Sequence, residues 1–162
     1  FEYDLDEDYW MTEVSGLPFG LMGEMLQDGG HPYRGMLYGM TARKYGDVDP
    51  RPVWGLMDDF GIDESQMKGY WLDDAPIRTD HPRALATTYV RSDGILVALA
   101  SWSDQDEIVT LEIDGEILPG GGGALDAFAP AVDGLQTAQN LDTQRVLVPA
   151  NQGLFVLLRP SS

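Results

Sequence analysis

Five short apolar runs, each closed by a turn signal, dominate the second half of the chain and restrict its fold: Leu85 to Arg91, Gly94 to Trp102, Glu107 to Ile113, Arg145 to Val148 and Leu154 to Arg159. Their branched and aromatic residues favour strands, and Ser92-Asp93-Gly94, Ser103-Asp104-Gln105, Asp114-Gly115 and Asn151-Gln152-Gly153 supply the turns between them. Val109, Leu111 and Ile113 alternate with Thr110 and Glu112, the period of a half-buried antiparallel strand. Leu96–Ala100 and Leu154–Leu158 are apolar throughout, as central strands covered on both faces must be. With weaker strands at Leu125–Ala129 and Leu135–Ala138, about seven short strands predict a small antiparallel β-sandwich. The Gly120–Gly123 run lacks the Lys-Ser/Thr and helix of a phosphate loop and reads as a hairpin connection.

The first half has a different period. Pro32 opens a predicted helix over 33–45, with Met36, Leu37 and Met40 on one face and Gly35 and Gly39 allowing a close neighbour. Asp49 reads as the N-cap of a second helix, with Pro50 in its first turn, Val53, Leu56, Met57 and Phe60 on one stripe, and Gly61 as its stop. Asp63 with Gln66, and Ile62 with Met67, suggest a third capped turn. All 7 methionines fall between Met11 and Met67, and Trp10, Met22, Met25, Trp54, Tyr70 and Trp71 are more apolar surface than three short helices can cover. Residues 1–72 therefore read as an incomplete domain whose remainder lies in the same polypeptide or a companion chain. The polar stretch Asp73-Asp74-Ala75-Pro76 through Thr79-Asp80-His81-Pro82 reads as a linker, which divides the chain into 1–82 and 83–162.

Charge and composition narrow the function. The formal net charge is -17, opposite in sign to what a nucleic-acid backbone or an anionic membrane surface attracts. No apolar run reaches the roughly 20 residues of a membrane-spanning helix. The chain has no cysteine, which excludes disulfides, thiol catalysis and zinc thiolates, and only 2 histidines, His31 and His81, so no metal or cofactor is expected. No serine has a histidine at activating spacing.

Candidate chemistry lies in the first half. Glu24 follows Gly23 in the apolar run Leu17–Leu26, where burial would raise its pKa. With Asp28, His31 and Arg34 on the way into the first helix, it could line a sugar pocket, and Trp10 could supply a stacking platform. The structural alternative pairs Glu24 with Arg34 or Arg43 as a buried ion pair. Asp58 and Asp59 are helix neighbours about 100° apart and cannot address one substrate atom together. Asp73-Asp74 reads as a turn, and Glu2, Asp4, Asp6, Glu7 and Asp8 as a solvated acidic end without calcium-loop spacing. Trp54, Trp71 and Trp102 read as core or interdomain packing.

The strings Pro18-Phe19-Gly20-Leu21-Met22-Gly23-Glu24-Met25-Leu26-Gln27-Asp28-Gly29-Gly30 and Tyr33-Arg34-Gly35-Met36-Leu37-Tyr38-Gly39-Met40 resemble a late barrel segment of family 123 glycoside hydrolases. Arg51–Ile62 and Gly69-Tyr70-Trp71 are similar to the segment that closes such barrels, and Ile95–Ser103 and Gly153–Arg159 to the C-terminal β-sandwich behind them. The resemblance implies an α+β chain: the terminal βα portion of a (β/α)8 barrel, then a small antiparallel β-sandwich. In that family an adjacent Asp-Glu pair in mid-barrel assists the substrate's acetamido group. No position here matches that pair, which implies catalytic carboxylates upstream and a barrel-closing scaffold in this chain. The implied partners are the rest of the polypeptide, or a companion chain, and a carbohydrate; a secreted or periplasmic setting is implied as well. The rival reading is a non-catalytic β-rich carbohydrate-binding or structural module.

Overall fold

The computed structural model describes residues 31–39, 49–114 and 124–161. Two helices come first, α1 (Pro32–Leu37) and α2 (Arg51–Phe60), then a 3-10 turn at Ile62–Glu64. Ten strands follow among the described residues: β1 (Gln66–Lys68), β2 (Ile77–Thr79), β3 (Ala84–Val90), β4 (Ile95–Ser101), β5 (Glu107–Val109), β6 (Leu111–Ile113), β7 (Leu125–Ala129), β8 (Gln139–Leu141), β9 (Val146–Val148) and β10 (Gly153–Pro160). All pair antiparallel. Six form one sheet in the order β1-β3-β4-β10-β7-β8, and the pairs β2-β6 and β5-β9 form two small sheets.

Side chains leave a strand on alternate faces, so the central strands feed two separate cores. Leu96, Ala98 and Ala100 of β4, Phe155 of β10 and Tyr89 of β3 join α1 and α2 on one face. Ile95, Val97 and Leu99 of β4, with Leu154, Val156 and Leu158 of β10, meet residues of β2, β5, β6, β7 and β9 on the other. Every residue of β4 is buried. Its continuous hydrophobicity thus reflects a sheet covered on both sides, each large side chain contributing roughly 1.5–3 kcal/mol of burial.

The second helix keeps its predicted stripe and stop, but it begins one residue later than expected, with Pro50 and not Asp49 at the N-cap position. Asp49 Oδ1 accepts the Arg51 N–H at 3.0 Å, Val53, Leu56 and Phe60 are buried, and Gly61 ends the helix at φ 73°. Asp58 and Asp59 are exposed on it. The first helix stops at Leu37 within the predicted 33–45 span, and residues 40–48 lie outside the described set.

Four other expectations change. The run Glu107–Ile113 is two strands, because the Thr110 N–H leaves the ladder to donate to Asp80 Oδ1 at 2.8 Å. β5 then pairs with β9, and β6 with β2. The strand expected at 135–138 begins at Gln139, after a tight turn bridged between Val132 and Gln136. Gln66 pairs with Val90 in β1, so no capping box forms at Asp63, although Ile62 and Met67 both pack on the helix-side core. The stretch read as a linker contains β2, whose Ile77 is fully buried, and both β1–β3 and β2–β6 pairings span residue 82.

Candidate functional site

Of the residues singled out in the sequence, His31 and Arg34 lie among the described ones, whereas Trp10, Glu24 and Asp28 lie outside them. His31 is the N-cap of α1: its Nδ1 accepts the Arg34 N–H at 3.1 Å, and Pro32 follows with no N–H to satisfy. Its Nε2 donates to the Asn151 carbonyl at 2.7 Å. One ring nitrogen accepting and the other donating is the pattern of a neutral imidazole. Burial, and then the nearby Arg34 charge, push the His31 pKa down to about 4.

Arg34 points into the protein and is 2% exposed. Its Nη2 donates to the Ser101 carbonyl at 2.8 Å and to Asn151 Oδ1 at 3.3 Å. The guanidinium lies over the Trp102 ring, 4.5 Å from its centroid. A planar, delocalised cation suits this setting because it can stack and donate in its plane at once. Asn151 adopts φ 51°, a left-handed conformation that asparagine tolerates, and its N–H donates to the Ser103 carbonyl at 2.8 Å.

The far end of α1 is tied to β3. Tyr89 Oη donates to the Met36 carbonyl at 2.5 Å, and Thr87 Oγ1 to the Leu37 carbonyl at 2.8 Å. These are carbonyls that a helix end leaves without internal partners. Burial raises the pKa of Tyr89, which keeps its phenol a donor. Between the two ends, Tyr33 packs on Phe155 with centroids 4.8 Å apart, and its hydroxyl donates to the Leu135 carbonyl at 3.2 Å. Burial takes the Tyr33 pKa up to about 12. Gly153 makes this approach possible, since a Cβ there would collide with the Leu99 carbonyl and the Tyr33 side chain.

A six-residue helix is too short to persist alone in water, so its stability comes from these contacts. His31 and Arg34, expected on the loop into the first helix, are its N-cap and a residue of its first turn. The sequence reading missed Asn151, Ser101, Thr87, Tyr89 and Gly153, which are distant in sequence; the Asn-Gln-Gly turn was the only signal pointing to one end of the clamp. Among the tryptophans, Trp102 is buried under Arg34, while Trp54 and Trp71 are 39% and 40% exposed. No group of three or more potential metal-ligating side chains occurs among the described residues.

Two family models match the chain. The glycoside hydrolase 123 TIM-barrel domain matches residues 1–45, and the glycoside hydrolase 123 C-terminal domain matches residues 49–159. No curated protein matches it. The helix α1 falls within the barrel match, while β3, β4, β10 and Asn151, which hold it, fall within the C-terminal match. The clamp therefore joins the parts of the chain assigned to two different domains. With the C-terminal model covering more than half of its length, the chain belongs to the glycoside hydrolase 123 family.

Proposed function

We propose that this chain is the closing module of a glycoside hydrolase acting on glycosidic bonds of carbohydrates. Its first residues complete a (β/α)8 barrel, and its β-rich part, a closing β-sandwich, holds that barrel segment in place. The catalytic carboxylates come from upstream barrel strands, contributed by the rest of the polypeptide or by a companion chain. The observation that carries the reading is the clamp at both ends of α1, with Arg34 and His31 bonded to Ser101 and Asn151 at one end and Tyr89 and Thr87 bonded to α1 carbonyls at the other. A hydrolase must hold its catalytic groups within about 0.5 Å of the productive geometry, and a fixed last barrel segment serves that need.

In this reading His31 and Arg34 act from behind the site as positioning residues. Trp10, Glu24 and Asp28, on the segment that leads into α1, are the residues of this chain proposed to meet the sugar. The test is hydrolysis of a panel of chromogenic glycosides by the 162-residue chain alone and by an assembled protein that includes the upstream barrel. The chain alone is expected to be inactive and the assembly active. Equal turnover by the chain alone would place the carboxylates within it and overturn the proposal.

A further inference from the structure

We propose that a shallow pocket beside Tyr70 binds a neutral sugar ring, the ligand class resting on the functional reading above. The cavity measures about 350 Å³ and is lined by Tyr70, Arg78, Asp80, His81, Pro82 and Leu85, with Ile77 and Ala86 at its floor. That volume is at the lower end for small-molecule sites, and the lining has their composition: an apolar floor with a few polar groups at the edge.

Tyr70 supplies the large aromatic ring of the lining, and rings outside the pocket brace it. Tyr70 meets Trp71 edge-on at 5.2 Å and Tyr38 edge-on at 6.1 Å, and Trp71 stacks nearly parallel to Tyr38 with 13° between the planes. Trp71 also lies against Gly69, where any Cβ would displace the indole. A ring braced in this way loses little freedom when it meets the apolar face of a pyranose.

The polar rim is fixed too. The Thr110 N–H holds Asp80 Oδ1 at 2.8 Å, and the Arg83 N–H holds His81 Nδ1 at 3.3 Å. Arg78 Nη2 donates to the Leu72 carbonyl at 2.7 Å and to the Asp73 carbonyl at 3.0 Å. A guanidinium carries five N–H donors, so this anchoring leaves donors for a ligand. Asp80 supplies carboxylate oxygens that accept from sugar hydroxyls, and the Thr110 N–H favours its ionised form.

One guanidinium and one carboxylate on the same rim, on a chain of net charge -17, favour a neutral polyol over an anion. The larger groove of about 810 Å³ between β1, β2 and β6 has charged side chains such as Lys68 and Asp74 along its walls, but no aromatic ring to take a sugar face.

The experiment titrates the 162-residue chain with glucose, galactose, mannose, N-acetylglucosamine and their β-linked disaccharides, to about 50 mM, an upper concentration chosen for a weak millimolar site. Amide shifts in a two-dimensional NMR spectrum and tryptophan fluorescence are recorded. At least one of these sugars is expected to shift the amides of Tyr70, Asp80 and His81 and to perturb Trp71. Asp80→Asn and Arg78→Gln should each weaken binding about tenfold, and Asp133→Asn, on an exposed turn between β7 and β8, should leave it unchanged. Absence of shifts at those amides with every sugar, or shifts that persist at equal affinity in both variants, would overturn the site. Hydrolysis by the assembled enzyme is scored separately. Binding without hydrolysis supports the site and counts only against the functional reading; hydrolysis without binding counts against the site alone.

Discussion

The Arg34 guanidinium lies over the Trp102 ring in the interior, its carbon 4.5 Å from the indole centroid, with the two residues 2% and 4% exposed. A cation so placed must be compensated by its neighbours, and Ser101 and Asn151 do part of this. Arg34→Met keeps the apolar stem but removes donors and charge, leaving the Ser101 carbonyl without this donor. A loss of about 3 kcal/mol in urea unfolding is expected. Arg34→Lys should recover less than half of that, because an ammonium cannot stack and fork together. Equal stability of Arg34→Met and the parent would show the clamp to be ornamental.

Gly153→Ala tests the seat of α1. The added methyl group meets the Leu99 carbonyl, which belongs to the central strand, and the Tyr33 side chain. Overpacking of this kind costs about 1–3 kcal/mol. Thermal unfolding should report it, along with loss of near-ultraviolet dichroism from the Tyr33–Phe155 contact.

Tyr89→Phe removes one hydroxyl and leaves the Met36 carbonyl without that donor. The expected loss is about 1–2 kcal/mol by chemical denaturation, with the fold unchanged. An effect below the error of the measurement would mean that the end of α1 is satisfied in another way.

The pH dependence follows from His31. Its folded pKa of about 4 lies below the ordinary 6.5, so the unfolded chain binds the extra proton between those values. Stability from this group is complete above pH 6.5 and is lost as pH falls towards about 4, by an amount of roughly 3 kcal/mol. Asp74 and Asp80, with carboxyls held below 3.8 by Lys68 and by the Thr110 N–H, act at lower pH. His31→Asn can still accept the Arg34 N–H as an N-cap, and should flatten the stability profile between pH 4 and 6.5. A slope unchanged in that variant would assign the dependence to other groups.

Local signals in the sequence predicted local structure well. Leu96–Ala100 and Leu154–Leu158 announced the two central strands because a strand covered on both faces has no reason to alternate. The Val53–Phe60 stripe and Gly61 marked α2 and its end, whereas Asp49 stands one residue before the N-cap. What escaped depends on long-range partners. β1 and β2 are three-residue strands whose identity comes from pairing with β3 and β6, not from any period of their own. Thr110 looks like part of a continuous strand until Asp80, thirty residues earlier, takes its N–H.

The site shows the same limit. His31 and Arg34 stood out as polar residues beside an apolar helix, and polar residues there fit a ligand pocket and a buried clamp equally well. Choosing between these requires Asn151, which is 117 residues beyond Arg34 and whose contribution is a carbonyl and a side-chain amide in a left-handed turn. No pattern in the first half could reveal it.

Energetically, α1 belongs to the β-rich part of the chain. Amide hydrogen exchange measures this directly. The Gly35 and Tyr38 N–H groups, bonded to the His31 and Gly35 carbonyls, should exchange only through the same cooperative opening as Val97 in β4, with equal opening free energy in the intact 162-residue chain. Exchange of Gly35 and Tyr38 near the rate of an unstructured peptide, while Val97 stays protected, would contradict it.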